Sequence, residues 1–78
     1  MSTKTATFTA LAEDFQFDKK VMTLFLNSPM ENLEDFRFYF AEEKEVDVFC
    51  AADETLQDQE LRIQISRVRR AWASITQN

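Results

Sequence analysis

The sequence predicts an all-α fold, a compact bundle of four to five short helices with a longer amphipathic helix at the C-terminus. The chain contains no glycine and one proline in 78 residues, although glycine supplies the positive φ that tight hairpins need. Apolar residues recur at helical spacing in several segments. The length fits one domain, which we expect at residues 6–76 after a flexible segment at residues 1–5.

The first two helices are predicted from apolar spacing and from one capping residue. A short helix is expected to begin near Thr7 or Thr9. Asp18 can cap the start of a second helix with its side chain. That helix should end just before Pro29, because proline disfavours helical geometry in the residue that precedes it. The apolar residues that mark its buried face, at i, i+3 and i+4, are Val21, Leu24 and Phe25.

Residues 36–50 fit two structures. Phe36, Phe38 and Phe40 alternate as they would in a strand, whereas Leu33, Phe36 and Phe40 have helical spacing. The segment that contains Val46, Val48 and Cys50 shows the same ambiguity, since Val46, Phe49 and Cys50 also have helical spacing. An α+β fold with a hairpin at residues 36–50 is therefore the alternative.

Helices are favoured on both sides of a break near Ala41. The intervening sequence, AEEKE at residues 41–45, consists of strong helix formers and contains no turn residue. Asn32 is the preferred cap for the helix before the break, with acidic residues in its first turn, where the helix dipole favours them. Residues 29–31 are then a connection.

The last helix has the clearest pattern and is predicted to run from Leu56 or Asp58 to Ile75. Arginines toward its end are expected to suit the negative end of the helix dipole. Its apolar residues follow one another at steps of four and three and form one narrow stripe. They are Leu61, Ile65, Val68, Trp72 and Ile75.

Charge is divided unevenly along the chain. Residues 1–60 hold fourteen acids and five cations, whereas residues 61–78 hold four arginines and no acid. A basic helix on an acidic protein could bind phosphate or an acidic partner, or could only balance the charge of the chain itself. On a helical wheel the four arginines spread around the helix instead of gathering on one face, so a solvated helix back is favoured over nucleic-acid binding.

Candidate partner-binding residues come from side chains that do not fit the predicted core. Phe38 and Tyr39, together with Phe17, fit their own helical stripes least well, and Ile63 falls opposite the stripe of the last helix. Exposed aromatic side chains that lie together form a groove for a partner. The candidate set consists of Phe38, Tyr39, Arg62, Ile63, Arg67, Arg69 and Arg70.

Catalysis, cofactors and metal ions are not predicted. The sequence has no histidine to act as a base near neutral pH, and no serine or cysteine has a recognisable activating partner. The acidic residues 42–47 lack the alternating spacing and the glycine of a calcium loop. The single cysteine, Cys50, lies among apolar residues and is interpreted as a buried thiol in a reducing compartment, cytoplasmic or nuclear.

The predicted function is therefore a small non-enzymatic helical module for protein–protein interaction or assembly. Its partner would be another protein or a second copy of the chain. The alternative is a nucleic-acid-binding domain that uses the arginine-rich C-terminal helix. No segment approaches the length of a membrane span.

Overall fold

A computed structural model of the protein describes residues 3–77, and Met1, Ser2 and Asn78 lie outside the described residues. Within that range the chain is helical and contains no strand, so the all-α prediction is confirmed and the alternative hairpin at residues 36–50 is wrong. The elements are α1 (Thr3–Phe15), α2 (Lys19–Asn27), α3 (Leu33–Tyr39), α4 (Lys44–Cys50), a 3₁₀ helix (Glu54–Gln57) and α5 (Ile63–Thr76).

The predicted caps of α2 and α3 are confirmed. The Asp18 carboxylate accepts a hydrogen bond from the backbone N–H of Lys20 at 3.0 Å, at the start of α2. The Asn32 side chain accepts one from the N–H of Asp35 at 2.8 Å, at the start of α3. Each bond satisfies a helix N–H that has no partner within its own helix. As predicted, α2 ends before Pro29.

α1 begins at Thr3, earlier than the predicted start at Thr7 or Thr9. The Lys4 ammonium donates a hydrogen bond to the carbonyl oxygen of Ser28 at 2.6 Å, so the first turn of α1 is held against the end of α2. This contact joins residues far apart in the sequence, which explains why local patterns do not reveal it. Residues 3–5 of the segment predicted to be flexible are therefore part of a helix.

α5 begins later than predicted, at Ile63 instead of Leu56 or Asp58. The Asp53 carboxylate accepts hydrogen bonds from the N–H and the hydroxyl of Thr55, at 3.0 and 2.6 Å. These bonds start the 3₁₀ helix, which buries Leu56 completely. Local side-chain bonds of this kind compete with the α-helix and delay its start.

The core is centred on one aromatic ring. Phe25 of α2 is fully buried and contacts aromatic rings from α1, from the turn between α1 and α2, from α3 and from α4. Aromatic side chains bury large apolar areas, which suits a chain this short. The partner rings are Phe8, Phe17, Phe36 and Phe49, with centroids 5.0, 5.8, 5.1 and 5.4 Å from that of Phe25.

α5 packs on this core with its predicted apolar stripe. Ile65 and Val68 are buried, and the indole Nε1 of Trp72 donates a hydrogen bond to the carbonyl oxygen of Arg37 at 3.3 Å, which joins α5 to α3. The remaining members of the stripe are only partly buried against the core: Leu61, which precedes the helix, Trp72 and Ile75.

The turn between α1 and α2 holds a strained residue. Among the described residues, Gln16 is the non-glycine residue with a positive φ, at 59°. The next residue, Phe17, donates its N–H to the carbonyl oxygen of Ala12 at 2.9 Å and closes the end of α1. Helices commonly end this way, but glycine is the usual residue at the left-handed position. A chain without glycine uses glutamine there, at an energetic cost.

Two side chains of α5 hold that turn in place. The Gln64 amide is buried; its oxygen accepts from the N–H of Asp18 at 2.8 Å and its nitrogen donates to the carbonyl oxygen of Gln16 at 3.4 Å. The Arg67 guanidinium donates to the same carbonyl oxygen at 2.9 Å. A buried polar group is stable only when it is hydrogen-bonded in this way, so Gln64 joins three helices at one point.

We expect Gln16→Gly to raise the free energy of unfolding by about 0.5–1 kcal/mol, because glycine adopts a positive φ without a Cβ clash. Gln77→Gly is the matched control, since Gln77 ends α5 with φ at −83° and glycine there only loosens the unfolded chain. Urea unfolding of both variants and the wild type measures the difference. Equal shifts at the two positions would contradict strain at Gln16.

Gln64→Leu should lower the free energy of unfolding by about 1–3 kcal/mol, because it leaves the partly buried N–H of Asp18 without an acceptor. Gln59→Leu makes the same chemical change at an exposed position and should alter stability by less than about 0.5 kcal/mol. Thermal or urea unfolding compares the two. If both variants unfold at the same midpoint, the bridge through Gln64 does not stabilise the fold.

Candidate partner-binding surface

An exposed apolar surface is formed by α3 and α4. Phe38 is 69% exposed and Tyr39 is 47% exposed, at the end of α3. Leu33, at the start of α3, and Val48, on α4, are exposed at 41% and 73%. These four side chains are referred to below as the α3–α4 apolar surface.

Three shallow hollows join the four residues into one surface. Leu33 and Phe38 line the first, Phe38 and Tyr39 line the second, and Tyr39 and Val48 line the third. Each aromatic ring is thus shared by two neighbouring hollows, so the hollows follow one another across the surface. Their volumes are about 420, 300 and 220 Å³.

The surface rests directly on the core. Tyr39 packs edge-on against Phe40 and Phe49, with ring centroids 5.0 and 6.2 Å apart. Phe49 in turn contacts the central ring of Phe25. The exposed tyrosine is therefore held by one buried ring and one partly buried ring, and a partner would meet a preformed surface with little ordering cost.

One carboxylate lines each hollow: Glu34 the first, Asp35 the second and Glu45 the third. Two of these carboxylates are held by backbone groups. Asp35 accepts from the N–H of Glu31 at 2.9 Å, and Glu45 accepts from the N–H of Ala41 at 3.2 Å. Residues 31–48 contain seven acids and two cations, so the surroundings of the apolar surface carry negative charge.

The two cations of that segment are already engaged. The Arg37 guanidinium carbon lies 5.1 Å from the centre of the Phe38 ring, a cation–π distance. The Lys44 ammonium lies 3.1 Å from the Glu42 carboxylate on an exposed part of the chain. Neither cation neutralises the carboxylates that are fixed beside the second and third hollows.

The arginines of α5 divide into two pairs. Arg67 bonds the carbonyl oxygen of Gln16, and Arg69 binds the carboxylate of Asp47, with Nε 2.7 Å from one of its oxygens. Arg62 and Arg70 are exposed and make no ion pair or side-chain hydrogen bond within residues 3–77. All but Arg62 lie in the middle of α5, so the expectation that they serve its C-terminal dipole is wrong.

Ile63 is 51% exposed, as predicted, but it belongs to a different surface. It lines a hollow with Arg62 and Arg69 that shares no residue with the three hollows of α3 and α4. Arg67 and Arg70 line a further, mostly polar hollow beside the turn at Gln16. The seven candidate residues are therefore distributed over three places.

Sequence reasoning missed Val48 and Leu33. The helical assignment of residues 44–50 placed Val46, Phe49 and Cys50 on one face and left Val48 on the other, so the signal for Val48 was present. Leu33 was expected to be buried with Phe36 at helical spacing. It is exposed because α3 begins at Leu33, beyond the part of the helix that faces the core.

Cys50 is the one thiol and is fully buried. Burial raises its pKa to about 11; the Asp47 carboxylate adds to the shift and the Arg69 guanidinium opposes it. A neutral thiol is a poor nucleophile. Among the described residues, no three His, Cys, Asp or Glu side chains come together as metal ligands. None of the helices in that part of the chain has the length and apolar character needed to cross a membrane.

Comparisons of the chain with protein-family models, with curated proteins and with solved structures found no match.

The buried thiol makes stability depend on alkaline pH. Between about pH 9 and pH 11 the unfolded chain has lost the Cys50 proton and the folded chain retains it, so the free energy of unfolding should fall across that window. The free energy of unfolding of Cys50→Ala should fall less steeply with pH. Lysine and tyrosine titrate in the same range in both proteins, so their contribution cancels in the difference between the two curves. Urea unfolding at a series of pH values tests this. Parallel curves for the two proteins would refute the assignment.

Proposed function

We propose that this chain is a small non-enzymatic helical module that binds another protein through the α3–α4 apolar surface. The observation that carries the proposal is the continuity of Leu33, Phe38, Tyr39 and Val48 across three hollows. Single exposed apolar residues are common, but joined ones mark interaction sites in small folded proteins. Here they are exposed although the same chain fully buries other large side chains.

The shape of the surface favours a protein over a small ligand. Binding sites for small molecules enclose most of the ligand in one deep cavity. The hollows at Phe38 and Tyr39 are shallow and each suits a single bulky side chain. Preformed aromatic anchors with charged residues around them are typical of the centre and rim of a protein interface.

The charges favour a protein over a nucleic acid. Phosphate-binding surfaces gather their cations, whereas Arg67 and Arg69 are turned toward groups of this chain and lie on different flanks of α5. The exposed aromatic rings, which could stack on bases, lie among carboxylates that repel phosphate. Neither feature supports the alternative function of nucleic-acid binding.

The test uses a partner captured by the wild-type chain and then purified. In calorimetric titrations, Phe38→Ala combined with Val48→Ala should weaken binding at least about tenfold, because two exposed apolar side chains lose their buried contacts. Ile63→Ala removes an exposed apolar side chain from the other surface and should leave the affinity unchanged. Both variants should keep the wild-type unfolding midpoint, since the altered side chains are exposed.

Salt and a nucleic-acid probe complete the experiment. Apolar docking should change little as sodium chloride is raised, whereas phosphate binding weakens steeply. An oligonucleotide should show no binding that depends on Arg62 and Arg70. Undiminished affinity of the Phe38 and Val48 variant for the purified partner would refute the proposed function.

A further inference from the structure

We infer that the occupant of the α3–α4 apolar surface is a cationic amphipathic helix of another protein. This inference rests on the proposed function and names the class of partner for the same surface. Three features of the described residues carry it: the succession of hollows, the carboxylate in each of them, and the placement of two of those carboxylates, Asp35 and Glu45, by backbone hydrogen bonds.

The hollows follow one another in a number that suits the anchors of an amphipathic helix. An amphipathic helix binds a groove through apolar anchors at i, i+3 or i+4, and i+7. Three hollows separated by the rings of Phe38 and Tyr39 offer one place for each anchor.

Extended partners fit less well. A strand binds by adding to a sheet edge, and residues 3–77 contain no strand. A proline-rich segment packs its rings on open aromatic faces. One face of Phe38 is shared with the Arg37 guanidinium at 5.1 Å, which leaves fewer open faces for that packing.

The carboxylates determine the charge of the partner. Glu34, Asp35 and Glu45 each line one hollow, so a lysine or arginine next to each apolar anchor would meet a carboxylate. Complementary charges of this kind speed association and exclude partners of the wrong sign. An acidic helix would bring like charges together at the second and third hollows, whereas the first hollow is lined by Arg37 as well as Glu34.

A second copy of this chain is a weaker candidate for the occupant. Within residues 3–77 its basic elements are α5 with its cap, where Arg62 and Arg70 are exposed and make no ion pair, and α2, where Lys19 and Lys20 are exposed. The large apolar side chains exposed on these elements are Ile63 and Leu26, one on each. One anchor per element cannot fill three hollows.

The direct test uses synthetic peptides of about 18 residues whose leucines recur at helical spacing. One peptide carries lysine on its polar face, the second carries glutamate, and the third has the composition of the lysine peptide in an order without an apolar face. A fourth is a basic proline-rich peptide. Fluorescence anisotropy with the full chain should show at least about tenfold tighter binding of the leucine–lysine helix than of the other three.

Matched charge variants locate the interaction. Combining Glu34→Gln, Asp35→Asn and Glu45→Gln keeps the shapes and the hydrogen-bond acceptors and removes three charges. This variant should bind the leucine–lysine peptide about tenfold more weakly and with less dependence on salt. Combining Glu13→Gln, Asp14→Asn and Glu60→Gln removes the same charge from exposed positions outside the three hollows and should bind nearly as wild type.

The outcomes separate this inference from the proposed function. Equal weakening by both triple variants, or preference for the glutamate, reordered or proline-rich peptide, would overturn the cationic helix. If the wild type forms a dimer and the Phe38→Ala and Val48→Ala substitutions dissociate it, the cationic helix is also overturned. That dimer would nevertheless support a protein-binding role for the surface. If the purified partner instead binds the Phe38→Ala and Val48→Ala variant as tightly as the wild type, the proposed function itself is wrong.

Discussion

The packing of four aromatic rings around Phe25 is the interaction on which the rest of the structure depends. The chain is short and its helices are short, and isolated helices of seven to nine residues are unstable in water. Their stability must come from tertiary contacts. Because the rings that meet Phe25 belong to different elements, one buried side chain fixes the positions of α1, α3 and α4 together.

The exposed aromatic surface follows from the same packing. α3 has only seven residues, and its inward direction is occupied by Phe36, while Phe40, just past its end, is buried against α4. Phe38, two residues after Phe36, falls on the opposite side of the helix, so its exposure is imposed by the helix geometry. Tyr39, three residues after Phe36, lies at the edge of the inward face and is half-exposed against Phe40 and Phe49. The carboxylates nearby keep this apolar surface compatible with water.

Local signals in the sequence predicted much of the fold; one non-local contact and one local competing structure account for the errors in helix bounds. The caps at Asp18 and Asn32 and the break at Pro29 depend on neighbouring residues, so they were predictable. The early start of α1 depends on a bond from Lys4 to a carbonyl 24 residues away. The late start of α5 follows from the 3₁₀ helix at Glu54–Gln57, which the Asp53 side chain starts by bonding Thr55. The spacing of the apolar residues alone does not reveal this competing structure.

The candidate surface was predictable only in part, because it is formed by residues from different elements of the fold. The helical wheel identified Phe38, Tyr39 and Ile63 as misfits of the core, and they are exposed, but it also identified Phe17, which packs on Phe25. The wheel could not show that Ile63 lies on a different surface from Phe38 and Tyr39, because each hollow is lined by residues from more than one element. Nor could it show the acceptors of Arg67 and Arg69, which are 51 and 22 residues away in the sequence.

Phe49 has contacts on both sides of the boundary between core and surface, since it packs on Phe25 within the protein and on Tyr39 at the exterior. A replacement that the core accepts by volume would still displace the tyrosine ring. Natural variation at this position is therefore constrained twice, by packing in the core and by support of the exposed tyrosine ring. Homologous chains that change Phe49 should change residue 39 as well, so the pair would vary together through evolution even though one member is half-buried and the other is exposed.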